Sequence, residues 1–143
     1  MAQDFDIEHL LKHHHLKITP TRLDILREFQ AKEYAISHAE LSAGLGEKYD
    51  RVTIYRTLNS FEEKGLIHSI VLSDSLKKYA LCGHTCESDS HVHNHIHFTC
   101  VKCNKTVCLD DFTLDVKNKF QDYEFQELSI TAKGVCPDCK KVN

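Results

Sequence analysis

Two pairs of cysteines, each with two residues between its members, are the feature of the sequence that most constrains the fold. The pairs are Cys100–Cys103 and Cys136–Cys139. Two intervening residues let both sulfurs of a pair bind one ion from a tight turn, and two such turns complete a tetrahedron of thiolates. We therefore expect the four cysteines to hold one structural Zn²⁺ ion, with a helix and a strand folded between the pairs. The alternative is two unrelated reducing CxxC motifs or redox disulfides.

The number of cysteines and the N-terminal sequence set the expected compartment. The 143 residues contain 7 Cys and 11 His. The odd number of cysteines, and an N-terminus without a charged-then-apolar signal pattern, favour metal ligation in the cytoplasm over a secreted disulfide framework. No stretch is long and apolar enough to cross a membrane. The net charge of −3 does not indicate a nucleic-acid partner, so a DNA-binding surface has to follow from local pattern.

Four helices are predicted in the first part of the chain, and capping residues mark where they begin. They are Asp6 to His15, a helix that begins after Thr19, a helix that begins after Ser37, and Arg51 to Lys64. Thr19 is a candidate N-cap, and Pro20 suits the first helical position. Ser37 and Glu40 have the spacing of a capping box, and Gly65 suits a C-terminal cap.

The fourth helix has one apolar face and one face that suits DNA. Ile54, Leu58 and Phe61 recur at helical spacing and are predicted to face the core. Two apolar runs about a polar turn follow and predict a β-hairpin. Helices followed by a hairpin are typical of a winged helix, whose last helix enters the major groove of DNA. The candidate DNA-contacting residues are Arg51, Thr53, Tyr55, Arg56 and Thr57 on the helix, and Lys77 and Lys78 on the hairpin.

The second part of the chain alternates between strand and helix patterns. Ile96 and Phe98 share one face of a predicted strand, and His95 and His97 share the other. The further predicted elements are a strand at Thr106–Leu109 that pairs with the first, a helix at Thr113–Phe120 and a strand at Tyr123–Thr131. The predicted organisation is a winged-helix domain over 1–82, a His- and Cys-rich hinge or loop over 83–94, and a metal-binding domain over 95–143.

A second group of histidines and cysteines offers another metal site. Its members are His68, Cys82, His84, Cys86, His91, His93, His95, His97 and Cys108. His95 and His97 share a strand face and Cys82 ends the hairpin, so one ion held by these three would bridge the two domains. Metal binding would then depend on their relative orientation, as a metal-operated switch requires. Imidazole and thiolate donors with few carboxylates favour Zn²⁺ over Mn²⁺ or Mg²⁺. For His91 and His93, ordinary solvated side chains are the favoured interpretation.

With these motifs in this order, the sequence resembles the ferric uptake regulator (Fur) family of metal-dependent repressors across nearly its whole length. The matching segments are Thr19-Pro20-Thr21-Arg22, Thr53-Ile54-Tyr55-Arg56-Thr57-Leu58 with Gly65-Leu66, His95-Ile96-His97-Phe98-x-Cys100-x2-Cys103, and Cys136-x2-Cys139. The resemblance implies an α+β fold: an N-terminal winged helix-turn-helix domain, then a small α/β dimerisation domain with a four-cysteine zinc site. It also implies a homodimer that, when loaded with metal, binds a palindromic operator in double-stranded DNA, with Tyr55 and Arg56 on the DNA-reading helix.

The candidate sensory ligands depart from the iron- and peroxide-sensing branches of that family. Where those branches have one histidine and two carboxylates, this chain has Ala35, Ala80 and Cys108, and at a further family site it has Asn94, Ile96 and Leu128. The chain instead resembles zinc uptake regulators, which place a Cys at the end of the hairpin and a His or Asp just after the recognition helix.

The likeness to zinc uptake regulators implies a particular ligand set. The sensory ligands would be His68, Cys82, His95 and His97, with Cys108 as a competing fourth ligand. The loop that carries His84, Cys86, His91 and His93 either binds extra metal or is only an insert. The regulatory ion is expected to be Zn²⁺, with Fe²⁺ and Mn²⁺ as alternatives.

Three functions remain open on the sequence. The first is a zinc-responsive repressor of metal-homeostasis genes, the second an iron- or peroxide-responsive repressor of the same family, and the third a zinc-knuckle interaction module without sequence-specific DNA binding. An enzyme is not expected. His38-Ala39-Glu40 resembles half of a zinc deaminase signature, but Thr99 and Val135 stand before the cysteine pairs where that signature has a proline.

Overall fold

The computed structural model describes residues 5–72, 75–81, 96–109, 116–125 and 128–142. They belong to two units, Met1–Ser90 and His91–Asn143. The described part of the first unit has four α-helices and a three-stranded sheet, and that of the second has a three-stranded sheet and two short helices. The hinge or loop predicted over 83–94 lies outside the described residues. No helix of the described residues is long and apolar enough to cross a membrane.

Side-chain caps begin the helices of the first unit. These helices are α1 (Ile7–His13), α2 (Pro20–Ala31), α3 (His38–Leu45) and α4 (Arg51–Glu63), with a 3₁₀ turn at Gly46–Lys48 before α4. The Thr19 hydroxyl accepts a hydrogen bond from the N–H of Arg22, and Pro20 takes the first position of α2. Ser37 and Glu40 form the predicted capping box of α3. Both predicted helix starts are therefore confirmed.

Helix α4 buries one face and ends at a left-handed residue. Ile54, Leu58 and Phe61 are buried on it, as their spacing predicted. Gly65 has a φ of 72°, which glycine adopts without strain. The chain turns at this residue, and the Leu66 N–H donates to the Phe61 carbonyl at 2.9 Å. This hydrogen bond closes the C-terminal end of α4 and leads directly into the sheet.

The sheet of the first unit contains the predicted hairpin and one strand that the sequence does not predict. β2 (Ile67–Val71) and β3 (Lys77–Leu81) pair in antiparallel register. β1 (Ile36–Ser37) pairs with the other edge of β3. Two residues are too few to show an alternating pattern, and their partners lie far along the chain, so local sequence carries no sign of this strand. Helices with this three-stranded sheet form a winged helix-turn-helix unit.

One apolar core holds the helices on the sheet. Its fully buried side chains come from all four helices and all three strands: Leu11, Ile25, Leu26, Ile36, Leu41, Ile54, Leu58, Phe61, Ile67 and Tyr79. Burying one such aliphatic or aromatic side chain stabilises a fold by about 1.5–3 kcal/mol relative to leaving it exposed. Helix α4 is therefore held in place by the packing of its buried face against this core.

The sheet of the second unit has β4 (Ile96–Cys100) at its centre, in the order β5-β4-β6. β4 pairs antiparallel with β5 (Thr106–Leu109), as predicted. On its other side it pairs in parallel with β6 (Ile130–Gly134). The short helices α5 (Val116–Lys119) and α6 (Pro137–Lys141) precede and follow β6. The parallel pair brings the C-terminal ends of β4 and β6 to one edge of the sheet.

The last strand lies later in the chain than the sequence predicted. The prediction was Tyr123–Thr131, but β6 begins at Ile130 and ends at Gly134. Tyr123 and Phe125 cluster instead with Phe120, with ring centroids between 6.3 and 6.5 Å apart. Aromatic residues favour strands because of how they pack, and here they pack on one another outside the sheet. The described helix α5 lies within the helix predicted at Thr113–Phe120.

A carboxylate on α2 ties this helix to the segment before α4. Asp24 accepts hydrogen bonds from Lys48 at 2.7 Å, from the Tyr49 hydroxyl at 2.6 Å and from Arg27 at 2.8 Å. Lys48, followed by Tyr49, lowers the pKa of Asp24 from 3.8 to about 2. Because the folded-state pKa lies below the ordinary value, the stabilisation is present above about pH 4 and is lost as the pH falls towards 2.

We predict that Asp24→Asn lowers the free energy of unfolding at pH 7 by roughly 1 kcal/mol, since water screens these surface partners. Urea unfolding at pH 7 and pH 3 would measure the difference, which should shrink at the lower pH. As a control, Glu47→Gln removes an exposed carboxylate next to Lys48, in the 3₁₀ turn at Gly46–Lys48. This change should leave the free energy of unfolding nearly unchanged. An equal loss at both pH values would contradict the prediction.

Candidate metal centres and DNA-contacting surface

The ends of β4 and β6 bring the two cysteine pairs together. The parallel register places Cys100 opposite Gly134, and the Val101 N–H donates to the Gly134 carbonyl at 2.8 Å. Cys136 follows two residues later, and its N–H donates to the Cys100 sulfur at 3.4 Å. The sulfurs of all four cysteines lie within 4.8 Å of one another. The structure thus forms the cluster that the spacing predicted.

Each cysteine pair occupies a turn that its local sequence favours. The Asn104 N–H donates to the Cys100 carbonyl at 2.9 Å, and the Cys100 N–H donates to the Lys105 carbonyl at 3.0 Å. Asn104 has a φ of 61°, a left-handed conformation that asparagine tolerates better than most residues. In the second pair, Cys136 is the N-cap of α6 and Pro137 takes the first position. Cys139, the second cysteine of this pair, therefore lies within the first turn of α6, close to the N-terminus of the helix.

The cluster fits a tetrahedral ion of the size of zinc. With metal–sulfur bonds of about 2.3 Å, the sulfur–sulfur edge of such a tetrahedron is about 3.8 Å. The sulfurs of Cys103 and Cys136 lie 3.9 Å apart. The four sulfurs form one cluster and not two separate bonded pairs. Four thiolates leave no open coordination position, so an ion held here is structural and not catalytic.

The electrostatics of the cluster also favour a cation. Hydrogen bonds from the backbone N–H groups of Cys103 and Cys136 lower the pKa of the Cys100 thiol to about 6. The neighbouring Cys136 side chain, followed by burial, raises the pKa of Cys139 to about 12. Thiolates at these distances repel one another, and a divalent cation between them removes the repulsion. The thiolate donors and their charges therefore favour Zn²⁺, as the distances between the sulfurs do.

A histidine and a cysteine face each other across β4 and β5. His97 and Cys108 are direct partners in the antiparallel register. Side chains of directly opposed residues project to the same face, with Cβ atoms about 4.5–5.5 Å apart. His97 is buried and Cys108 is half-buried. An imidazole and a thiolate in this arrangement are ligands of the kind that zinc accepts.

The other predicted sensory and extra ligands are divided between described and undescribed residues. His68 lies in the first unit, buried on β2 opposite Ala80 and shortly after α4. The remaining ones lie outside the described residues: Cys82, His84, Cys86, His91, His93 and His95. Their part in metal binding stays a prediction.

The outward face of α4 presents basic and aromatic side chains. Arg51, Tyr55 and Arg56 are exposed, and Thr53 and Thr57 are half-buried. The Thr57 hydroxyl donates to the Thr53 carbonyl at 2.9 Å, so that proton is used within the helix. Guanidinium groups suit base edges and phosphates. Arg51 and Arg56 are thus the side chains best placed for these contacts among the predicted set.

The hairpin offers one surface lysine from the predicted pair. The side chain of Lys77 is 43% exposed, and its ammonium lies 3.7 Å from the Glu62 carboxylate and 5.2 Å from the centroid of the Tyr79 ring. Lys78 is only 5% exposed, and it is paired on both sides, with Ser37 of β1 and with Ile70 of β2. This burial corrects the expectation for Lys78, which does not present its charge for a phosphate contact.

Sequence reasoning missed the neighbour of Tyr55. His38, at the start of α3, stacks on the Tyr55 ring with a centroid separation of 4.5 Å. In the sequence His38 drew attention only as half of an enzyme motif. Its partners on α4 lie 13 or more residues away, so no local pattern points to them.

Comparison with known proteins identifies the family. A model of the ferric uptake regulator family matches residues 13–131. The chain belongs to this family. A ferric uptake regulation protein of Synechococcus elongatus is 31% identical over 135 residues, which cover 87% of this chain and 86% of that protein. The peroxide-responsive repressor PerR of Staphylococcus epidermidis is 26% identical over 133 residues, which cover 88% of this chain and 83% of that protein.

A solved structure agrees with this assignment. A zinc uptake regulator complexed with zinc and DNA is 27% identical, with a TM-score of 0.68, and the match covers 94% of this chain and 91% of that chain. As a Fur-family protein, the chain is a metal-responsive, DNA-binding transcription regulator and not an enzyme. This confirms the predicted family and fold class, and it removes the interaction module without DNA binding from the alternatives.

We predict that Cys136→Ser releases the ion of the four-cysteine cluster, because a hydroxyl is a much weaker zinc ligand than the thiolate it replaces and only three strong donors remain. Mass spectrometry of metal per protomer, after dialysis that leaves only tightly bound ions, should show a loss of about one ion. Asp138→Asn is the matched control, since Asp138 is an exposed residue of α6 between the two cysteines of the same pair and is not a member of the cluster. Full retention in Cys136→Ser would show that the cluster does not hold the ion.

Proposed function

We propose that this Fur-family regulator is a zinc-responsive repressor of metal-homeostasis genes. The observation that carries the proposal is the cross-strand pair of His97 and Cys108. By the correspondence of motifs, Cys108 stands where the iron- and peroxide-sensing branches of the family have a carboxylate. A thiolate beside an imidazole suits Zn²⁺ better than Fe²⁺ or Mn²⁺, which prefer more oxygen ligands.

The proposal gives two zinc ions different tasks. The ion at the four cysteines stabilises the second unit. A second, regulatory Zn²⁺ is held by His97 and Cys108, and its remaining two ligands come from His68, Cys82 and His95. Because these ligands belong to both units, the free energy of binding this ion would depend on the orientation of one unit relative to the other. That dependence would couple zinc to DNA binding. The related zinc uptake regulator complexed with zinc and DNA supports this assignment.

The proposed DNA partner is a palindromic operator, bound in the cytoplasm by a homodimer. Arg51, Tyr55 and Arg56 would face base edges and phosphates in the major groove. In the second unit, Phe120 is 50% exposed and Tyr123 is 71% exposed, and exposed aromatic clusters are typical of surfaces that a subunit interface buries. A twofold dimer would present two copies of α4 to two half-sites.

We predict that His97→Ala abolishes the zinc dependence of operator binding and leaves the ion at the four cysteines in place. The probe is a fluorescent duplex selected from a random-sequence library by the zinc-loaded wild-type protein, and binding is measured by anisotropy. At a zinc concentration that saturates the wild type, we expect His97→Ala to bind the duplex at least roughly tenfold more weakly than the wild type does. His9→Ala removes an exposed imidazole of α1 and serves as the matched control. Zinc dependence that survives in His97→Ala would remove His97 from the sensory site.

We predict that Arg56→Ala weakens binding to the same duplex by roughly tenfold or more, because a guanidinium on a base edge or phosphate is lost. The metal content should not change, since Arg56 is an exposed residue of α4 and is not one of the proposed metal ligands. Arg27→Ala removes a surface guanidinium that pairs with Asp24 on α2 and provides the control. Equal affinity of Arg56→Ala and the wild type would place the DNA-contacting surface elsewhere.

A further inference from the structure

His38 connects the start of α3 to the first turns of the DNA-facing helix. It is the first residue of α3, and its ring stacks on that of Tyr55 with a centroid separation of 4.5 Å and an interplanar angle of 26°. This geometry is that of an offset stacked pair, which contributes beyond the area that it buries. Tyr55 is 42% exposed, so His38 supports a side chain whose other surface remains open to solvent.

Two polar contacts fix the orientation of the His38 ring. Nε2 lies 3.3 Å from the Arg51 carbonyl oxygen, and Nδ1 lies 3.4 Å from the Ser42 hydroxyl. A carbonyl oxygen only accepts hydrogen bonds, so Nε2 carries the proton and donates it. Nδ1 of the neutral ring then accepts from the Ser42 hydroxyl. A single tautomer satisfies both partners, and the ring is thereby held from α3 and from α4 at once.

The contacts of His38 fall on the turn of α4 that carries the exposed basic and aromatic residues. Asp50, the N-cap of α4, accepts from the Thr53 N–H at 2.7 Å, which fixes this turn from within. His38 adds a fixation from outside the helix, through the Arg51 carbonyl and the Tyr55 ring. A side chain that is already ordered loses less conformational entropy when a partner binds. These contacts therefore order the first turn of α4 and the Tyr55 side chain in the free protein, before DNA binds.

We propose that His38 is a positioning residue of the DNA-contacting surface: it holds Tyr55 and the first turn of α4 in the orientation that meets DNA. The inference rests on the proposed role of α4 in operator binding. His38 acts through Tyr55 and needs no contact of its own with DNA. Its effect on affinity therefore depends on the presence of the tyrosine ring.

A double-mutant cycle tests this dependence. We expect His38→Ala to weaken binding to the library-selected duplex roughly three- to tenfold in the wild-type background. In a Tyr55→Ala background the same change should alter affinity by less than about twofold, because the side chain that it positions is gone. Anisotropy at fixed zinc and salt concentrations gives the four affinities, and metal content and thermal unfolding midpoints are measured for each variant. Effects of equal size in the two backgrounds, or no effect in the first, would overturn the proposal.

Two further variants separate positioning of Tyr55 from support of the fold. His38→Phe keeps a ring on Tyr55, and we expect affinity within about twofold of the wild type. His38→Gln keeps a donor and an acceptor for Arg51 and Ser42 but has no ring, so we expect it to bind as weakly as His38→Ala. This comparison remains decisive if His38→Ala does not fold. Binding of His38→Gln as tight as that of His38→Phe would contradict the role of stacking.

Arg56→Ala distinguishes a failure of this inference from a failure of the proposed function. If Arg56→Ala loses affinity while His38→Ala does not, α4 contacts DNA and only the positioning role is wrong. If neither change weakens binding, the DNA-contacting surface itself is misplaced. His9→Ala, which removes an exposed imidazole of the same unit, should match the wild type throughout.

Discussion

The parallel pairing of β4 with β6 is the constraint on which the metal chemistry of this protein depends. It ends both strands at one edge of the sheet and so brings together cysteines 33 residues apart in the chain. The same central strand carries His97, which its antiparallel partner β5 places opposite Cys108. An ion at the four cysteines would stabilise the pairing of β4 with β6, and with it the strand on which the candidate regulatory ligand lies.

The proposed DNA recognition depends on a different kind of order in the first unit. The net charge of the chain is −3, so attraction to DNA comes from where charges lie rather than from their sum. The core packs Ile54, Leu58 and Phe61 inward, and this leaves Arg51 and Arg56 on the opposite, exposed face of α4. Caps within the chain and the contact from α3 hold the first turn of that helix. The surface is thus prepared by packing on one side and by hydrogen bonds at its start.

Features that depend on neighbours in sequence could be predicted, and features that depend on distant partners could not. The capping box at Ser37, the hairpin and the cysteine spacing each follow from a few adjacent residues. The strand at Ile36–Ser37, the burial of Lys78 and the stacking of His38 arise only when remote segments meet. The misplaced final strand has the same origin, because aromatic residues with strand propensity found partners among themselves. Resemblance to the family supplied what spacing could not, namely the expectation that Cys108 stands where other branches have a carboxylate.

The zinc response is tested most directly by the operator affinity of the unaltered protein at buffered concentrations of free Zn²⁺, compared with Fe²⁺ in the absence of oxygen. The four-cysteine ion is kept in place in both series, so that only the second ion varies. We predict that affinity rises as free Zn²⁺ fills the second site and that Fe²⁺ at equal free concentration does not reproduce the rise. A response to Fe²⁺ without a response to Zn²⁺, or release from DNA by peroxide, would contradict zinc sensing and assign the protein to an iron or peroxide signal.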